Sequence, residues 1–279
     1  MEAQWWLALD KHRGSRPRCV MLVDGARHTV AARLTDLVNL PDVAVAPDDF
    51  WMPRGKPVKT SKGWDKGPAK EARIDLERDA GVSVPGRGGN SVFVAPELRR
   101  QLRDWWLEFK QGANTPNWDL ASTCKIEGRD GLLLVEAKAH SNEFSNAGKP
   151  KPRSENGWSN HARIGLAIEQ ANAGLECVTA RPWGLSRDSH YQLANRFAWT
   201  WKLARLGVPV VLIYLGFLNA DDMQQDSAPF PTEGDWSRAL KDHARGVVDA
   251  SFWGKRLGVD GTPFRPLIRA IDLPFPPNP

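Results

Sequence analysis

The clearest hydrophobic pattern in the chain runs from Leu132 to Ala139, which is apolar at every position except Glu136 and Lys138. Leu132 and Leu134 share one pleat face, and Leu133, Val135, Ala137 and Ala139 share the other, so both faces are apolar and the run predicts a strand inside a sheet. Glu136 and Lys138 continue the face of Leu132 and Leu134, ending an apolar row in two charges. Charge placed there is costly unless it is paired or holds a metal. Upstream, Asp119 to Ile126 alternates well enough to be the partner strand, and Glu127-Gly128-Arg129-Asp130-Gly131 has the chemistry of a tight reversal. A turn centred near Arg129 makes paired residue numbers sum to roughly 258, placing Asp119 opposite about Ala139, close to Lys138. A one-residue change of register would move Asp119 to the other face.

Helical spacing frames this hairpin. Leu98, Leu102, Trp105, Trp106 and Phe109 predict a helix over Pro96 to Gln111, with Pro96 in its first turn and Gly112 just beyond its end. Asn160 to Ala173 is a helix with Gly174 as its stop, and Ser189 to Leu206 is a second one, ended by Gly207. Val208 to Leu218 is a buried strand, and Trp236 to Val248 an amphipathic helix. Nearer the N-terminus, Val20 to Val23 and Thr29 to Ala32 read as two short strands around Asp24-Gly25, Arg33 to Val38 as a short helix before Leu40-Pro41, and Ala69 to Ala80 as a short helix before a Gly81 to Asn90 loop. The order helix, hairpin, helix, helix, strand describes an α/β fold with a mixed central sheet flanked by helices. The expected division is an N-terminal elaboration over 1–90, a core over 91–220 and a C-terminal helical extension over 221–279.

Composition fits a globular chain able to bury a full core, with 279 residues, 41% hydrophobic and 25% charged. The net charge of +5 favours polyanionic partners without identifying one. Much of the excess lies in loops. Residues 53–73 form a basic loop with Lys56, Lys59 and Lys62, and the polar loop after the hairpin carries Lys149, Lys151 and Arg153. The first is a candidate to follow a phosphate backbone and is equally well read as a solvated loop, whereas the second matters for its expected position beside the charged strand end. The 13 Trp residues, several in adjacent or near-adjacent pairs, cannot all face one core, and an exposed Trp can stack on a base. Cys19, Cys124 and Cys177 suggest neither a disulfide framework nor a zinc site, and no stretch reads as a signal peptide or membrane span. A cytoplasmic protein is the expectation, with its oligomeric state open and a homodimer among the options.

Asp119 preceded by Pro116-Asn117-Trp118, then Glu136-Ala137-Lys138 after an apolar run, resembles the motif of the PD-(D/E)XK nuclease superfamily. The resemblance covers roughly Pro96 to Leu218. It departs from a strict proline-aspartate pair, since two residues separate Pro116 from Asp119. Glu108-Phe109-Lys110 has the same acid-x-lysine letters but sits in a helical pattern, where its charges would leave on different sides. The resemblance implies a restriction-endonuclease-like core and a Mg²⁺-dependent nuclease, with Mn²⁺ able to substitute and DNA as the expected substrate. Asp119 and Glu136 would be metal ligands, helped by the Ala137 carbonyl. Lys138 would orient or help deprotonate the attacking water.

Many relatives add an acid from the helix before the hairpin, a place Glu97 or Glu108 would fill. Glu143 reads as a loop carboxylate facing solvent. Gln170, Tyr191, Gln192, Asn195 and Arg196 lie on helices expected beside the site, and Gln192, Asn195 and Arg196 share one helix side as candidate phosphate contacts. His140 and His161 lack metal-site spacing. The alternatives are a nucleic-acid-binding protein that keeps the fold without cleaving, a protein-interaction scaffold, and a structural Glu–Lys pair at the edge of an unrelated sheet. Phosphate-loop, serine-hydrolase, zincin and paired C-x-x-C motifs are absent from the sequence.

Overall fold

A computed structural model of the chain describes residues 4–75, 93–111, 113–223 and 228–275. It begins with two helices, α1 (Ser15–Leu22) and α2 (Arg27–Val38): both expected short strands are helical, and the helix expected over Arg33 to Val38 is the second half of α2. The apolar residues of α2 explain the difference. Val30, Leu34, Leu37 and Val38 recur at helical spacing and are all buried, a stripe that a four-residue strand reading cannot accommodate.

The strands β1 (Val43–Ala44) and β2 (Trp51–Met52) follow, then β3 (Val58–Thr60) and β4 (Gly63–Asp65), which pair only with each other. The basic segment expected as a plain loop therefore contains a small hairpin, and all of β3 is exposed. Ala69 closes a short 3-10 turn and Ala72 bridges to Trp118, so the start of the helix expected over Ala69 to Ala80 is extended instead. The rest of that expectation, and the Gly81 to Asn90 loop, lie outside the described residues.

Helix α3 (Pro96–Trp106) ends earlier than its apolar pattern suggests, because Leu107 is already extended and Phe109 is exposed. The hairpin is β5 (Leu120–Ile126) and β6 (Arg129–Lys138). Helices α4 (Glu155–Thr179) and α5 (Tyr191–Arg205) then lead to β7 (Val210–Leu218). Gly174 does not stop α4: it lies inside the helix, where the Trp201 indole of α5 packs so closely on its backbone that a side chain would collide with the ring. The glycine is a packing site rather than a cap.

The last elements are α6 (Glu233–His243), β8 (Leu257–Val259) and β9 (Thr262–Asp272). Residues 221–279 thus supply two strands as well as the expected helix. The sheet order is β1-β5-β6-β7-β9-β8, with β2 also on β5. β6 runs parallel to β7 and β7 to β9, while β5–β6 and β8–β9 are antiparallel. The fold is therefore α/β with a mixed central sheet. β6 lies between two neighbours, as its two apolar faces require.

Two apolar layers cover the sheet. Leu132 and Leu134 of β6 pack with α3, α4, α5 and α6, whereas Leu133, Val135, Ala137 and Ala139 pack with α1 and α2. The Trp pairs divide between clusters. Trp105 and Trp106 pack against Trp199 with centroids 6.3 and 5.7 Å away, while Trp5 and Trp6 form a small separate cluster with Val20 and Phe275. Among the described residues no helix is long and apolar enough to cross a membrane.

Candidate active site

The hairpin turn decides which side chains meet. Ile126 faces Arg129, so the reversal uses only Glu127 and Gly128, both at positive φ (52° and 74°). Such a two-residue turn matches the twist of the strands it joins. The sequence expectation spread the turn to Gly131, but Asp130 is already in β6, opposite Lys125, and bridged to it at 2.9 Å. Gly131 is glycine for another reason: a side chain there would meet the Pro209 carbonyl and the Ile126 side chain, each 2.8 Å away.

The register therefore shifts. Leu120 faces Val135, and one further step sets Asp119 opposite Glu136 rather than Ala139. Ala121, two residues from Asp119, belongs to the same core layer as Leu132 and Leu134, so Asp119 shares the face of Glu136 and Lys138. The Asp119 Oδ2 accepts the Ala137 amide at 2.8 Å.

Just beyond Asp119 the strands part. The same register would pair Trp118 with Ala137, but the Trp118 amide donates to the Ala72 carbonyl (2.8 Å) and the Ala72 amide donates back (3.1 Å). The Ala137 carbonyl thereby loses its ladder donor on that side. Asp119 is partly exposed at this opening.

Glu136 and Lys138 are buried, with 1% and 5% of their surface accessible. Lys138 Nζ donates to Glu136 Oε1 at 2.5 Å and to Gln192 Oε1 at 3.1 Å. The other Glu136 oxygen accepts Arg196 Nε at 2.6 Å. Arg196 is itself fixed by Asn195 Oδ1 (2.8 Å), the Asn117 carbonyl (2.6 Å) and the Trp118 ring, whose centroid is 4.7 Å from the guanidinium. Gln192 and Arg196, one helical turn apart on α5, thus reach Lys138 and Glu136 directly. Lys149 lies over the Tyr191 ring (4.9 Å), and both line a cavity of about 530 Å³ with Gln192, Asn195 and Arg196.

The two acids titrate in opposite directions. Burial raises Asp119, and the neighbouring Glu136 charge adds to it, so its pKa moves from 3.8 to about 7. Burial also raises Glu136, but Arg196 and Lys138 outweigh that effect and hold it at about 2. For Lys138 the loss of solvation on burial is outweighed by Glu136 and then Asp119, which lift its pKa above the ordinary value and keep it an ammonium.

The other expected site residues are dispersed. Glu97 accepts from Arg100 and Gln101 on an exposed part of α3, and Glu108 is exposed beyond the end of that helix. Gln170 accepts the Trp105 indole N–H at 2.9 Å. Lys56 pairs with Asp24 at 3.2 Å, Lys59 lies 5.0 Å from the Trp64 ring, and Lys62 is in the exposed β3–β4 turn. Lys151 is exposed beside the loop that carries Lys149. Glu143, expected to face solvent, accepts Ser15 Oγ (2.8 Å) and the Ala139 amide (2.5 Å), tying α1 to the end of β6.

Sequence reasoning missed Glu71, whose charge adds to the repulsion raising Asp119. Its approach depends on the long-range Ala72–Trp118 bridge, for which the local pattern carries no signal.

Among the described residues no three His, Cys, Asp or Glu side chains converge to hold a metal ion. The donors present are nevertheless of the kind Mg²⁺ takes: the Asp119 carboxylate, held by an amide rather than a cation, the Ala137 carbonyl, and Glu136. Glu136 would have to release Lys138 or Arg196 to join them. No protein-family model, curated protein or solved structure matches the chain.

Proposed function

We propose that this protein is a metal-dependent nuclease of the PD-(D/E)XK type, acting on DNA in the cytoplasm. The observation that carries the reading is the meeting of Asp119, Glu136 and Lys138 on one sheet face where β5 leaves β6. Burial and the neighbouring Glu136 charge raise the Asp119 carboxyl to about 7, and a divalent cation bound there would favour its ionised form. The three free cysteines accord with a reducing compartment.

Asp119, Glu136 and the Ala137 carbonyl would hold Mg²⁺, or Mn²⁺ in its place. A bound divalent cation supplies neutralisation of phosphate and leaving-oxygen charge and lowers the pKa of a bound water. Lys138, kept protonated by Glu136, orients the attacking water and offsets phosphate charge as a hydrogen-bond donor. Arg196 and Gln192 fix Glu136 and Lys138 from α5, and Trp118 and Asn117 fix Arg196. The cavity beside them, with Lys149 at its edge, accepts the strand next to the cleaved bond.

The test is Mg²⁺-dependent cleavage of plasmid and linear DNA by wild type, Asp119→Ala and Lys138→Ala. The proposal expects cleavage by wild type alone, and activity surviving unchanged in both variants would defeat it. A second reading, a nucleic-acid-binding protein without catalysis, draws support from the engagement of both Glu136 oxygens. It expects salt-sensitive binding and no metal-dependent turnover.

A further inference from the structure

Trp158 is 49% exposed, the only one of the described Trp residues among the molecule's exposed large apolar side chains. It stands in the first turns of α4, held edge-on by the buried His161 ring at 5.6 Å and 65°. Together with Lys151, Arg187 and Asp188 these two rings line a groove of about 430 Å³. The His161 Nε2 has no protein partner. Arg187 is neutralised within the groove by two bonds to Asp188, both 2.9 Å.

A ridge separates this groove from the cavity beside Arg196. The segment 147–152 is pinned along it: Lys149 N–H donates to the Arg187 carbonyl (2.7 Å), Tyr191 N–H to the Ala147 carbonyl (3.0 Å), and Gly148 lies too close to the Asp188 backbone to carry a side chain. Pro152 in turn packs on Gly157 at the start of α4. Lys149 lines the cavity on one side of the ridge and Lys151 the groove on the other. Their Cα atoms are at most about 7 Å apart. The ridge thus sets one cation towards each concavity, and the exposed Arg153 follows two residues after Lys151.

We propose that the Trp158 groove is a stacking subsite for an unpaired base, and that single-stranded nucleic acid crosses the Lys149–Lys151 ridge from the Arg196 cavity to reach it. An apolar protein surface would match the indole but not the cations beside it, whereas a nucleotide strand supplies a flat base for Trp158 and phosphates for Lys149, Lys151 and Arg153. A base inside a duplex keeps its faces stacked and cannot lie on the indole, so the groove discriminates strandedness. The inference rests on the nuclease reading only for the direction of the strand and not for its binding.

The experiment is fluorescence anisotropy of a labelled oligothymidylate and of a duplex of equal length, both in EDTA so that nothing is cleaved, with wild type, Trp158→Ala, Trp158→Phe and Lys151→Gln. Trp158→Ala is expected to bind the single strand about tenfold more weakly, with Trp158→Phe restoring most of the loss and duplex binding unaffected. Lys151→Gln is expected to lower the slope of log affinity against log salt by about 0.7. Equal single-strand binding by wild type and Trp158→Ala, an equal loss on the duplex, or no binding by wild type overturns the inference. A Trp158-dependent self-association in sedimentation with unchanged oligonucleotide affinity also overturns it and assigns the face to a second copy. Because binding is read without turnover, a protein that shows Trp158-dependent binding but no cleavage refutes the nuclease reading and leaves the subsite standing.

Discussion

Arg196 on α5 donates from Nε to Glu136 Oε2 at 2.6 Å, with both side chains more than nine-tenths buried. Glu136 has one other cation, Lys138, so neither charge is surplus. Arg196→Met leaves a buried carboxylate with half of its compensation, and breaking such a pair costs about 3–5 kcal/mol. Urea denaturation is expected to show that loss in Arg196→Met and a clearly smaller further loss when Glu136→Gln is added.

Asp119 gives the metal-free protein an unusual pH profile. Its folded pKa is about 7 against an ordinary 3.8. The unfolded chain therefore gives up this proton first, and stability falls as pH rises from about 4 to about 7, with the full penalty present above that window. Glu136, held at about 2, acts with the opposite sign and only below its ordinary value of 4.5. In EDTA, urea midpoints of wild type are expected to drop relative to Asp119→Asn between about pH 4 and about pH 7 and to stay low above that. Parallel curves for the two proteins would refute this assignment.

Gly174 separates helix propensity from packing. On propensity alone Gly174→Ala would stabilise α4 by up to about 1 kcal/mol. The Trp201 indole occupies the space that the methyl group needs, and overpacking costs about 1–3 kcal/mol. A lower thermal midpoint for Gly174→Ala is expected, and a higher one would contradict the packing.

Glu71 is expected to matter through Asp119. Removing its charge with Glu71→Gln relieves part of the repulsion on Asp119 and lowers the pKa of that carboxyl. In the same urea series, the pH at which the wild-type penalty is complete is expected to move downward in this variant and the full penalty to shrink, while its onset near pH 4 stays where it is.

The sheet interior and its charged end were legible in the sequence because the run from Leu132 to Ala139 is apolar on both pleat faces except at Glu136 and Lys138, as a strand between two neighbours requires. The face of Asp119 was not legible. Asp130 and Gly131 carry turn chemistry but serve the strand, one by pairing with Lys125 and the other by making room for Pro209. The short runs in α1 and α2 misled for lack of length, since an apolar run of four fits either period. Strands β8 and β9 and the approach of Glu71 arise from contacts between distant segments, which local periodicity does not encode.

The central claim is that Asp119 and Glu136 share one divalent cation. The most direct measurement is anomalous diffraction from crystals of the protein soaked in Mn²⁺, paired with the same soak of Asp119→Asn. The account predicts one Mn²⁺ peak within bonding distance of the Asp119 and Glu136 carboxylates in wild type and none in the variant. A wild-type crystal in which Mn²⁺ binds elsewhere, or in which Glu136 keeps both Lys138 and Arg196 with no ion beside Asp119, would contradict it.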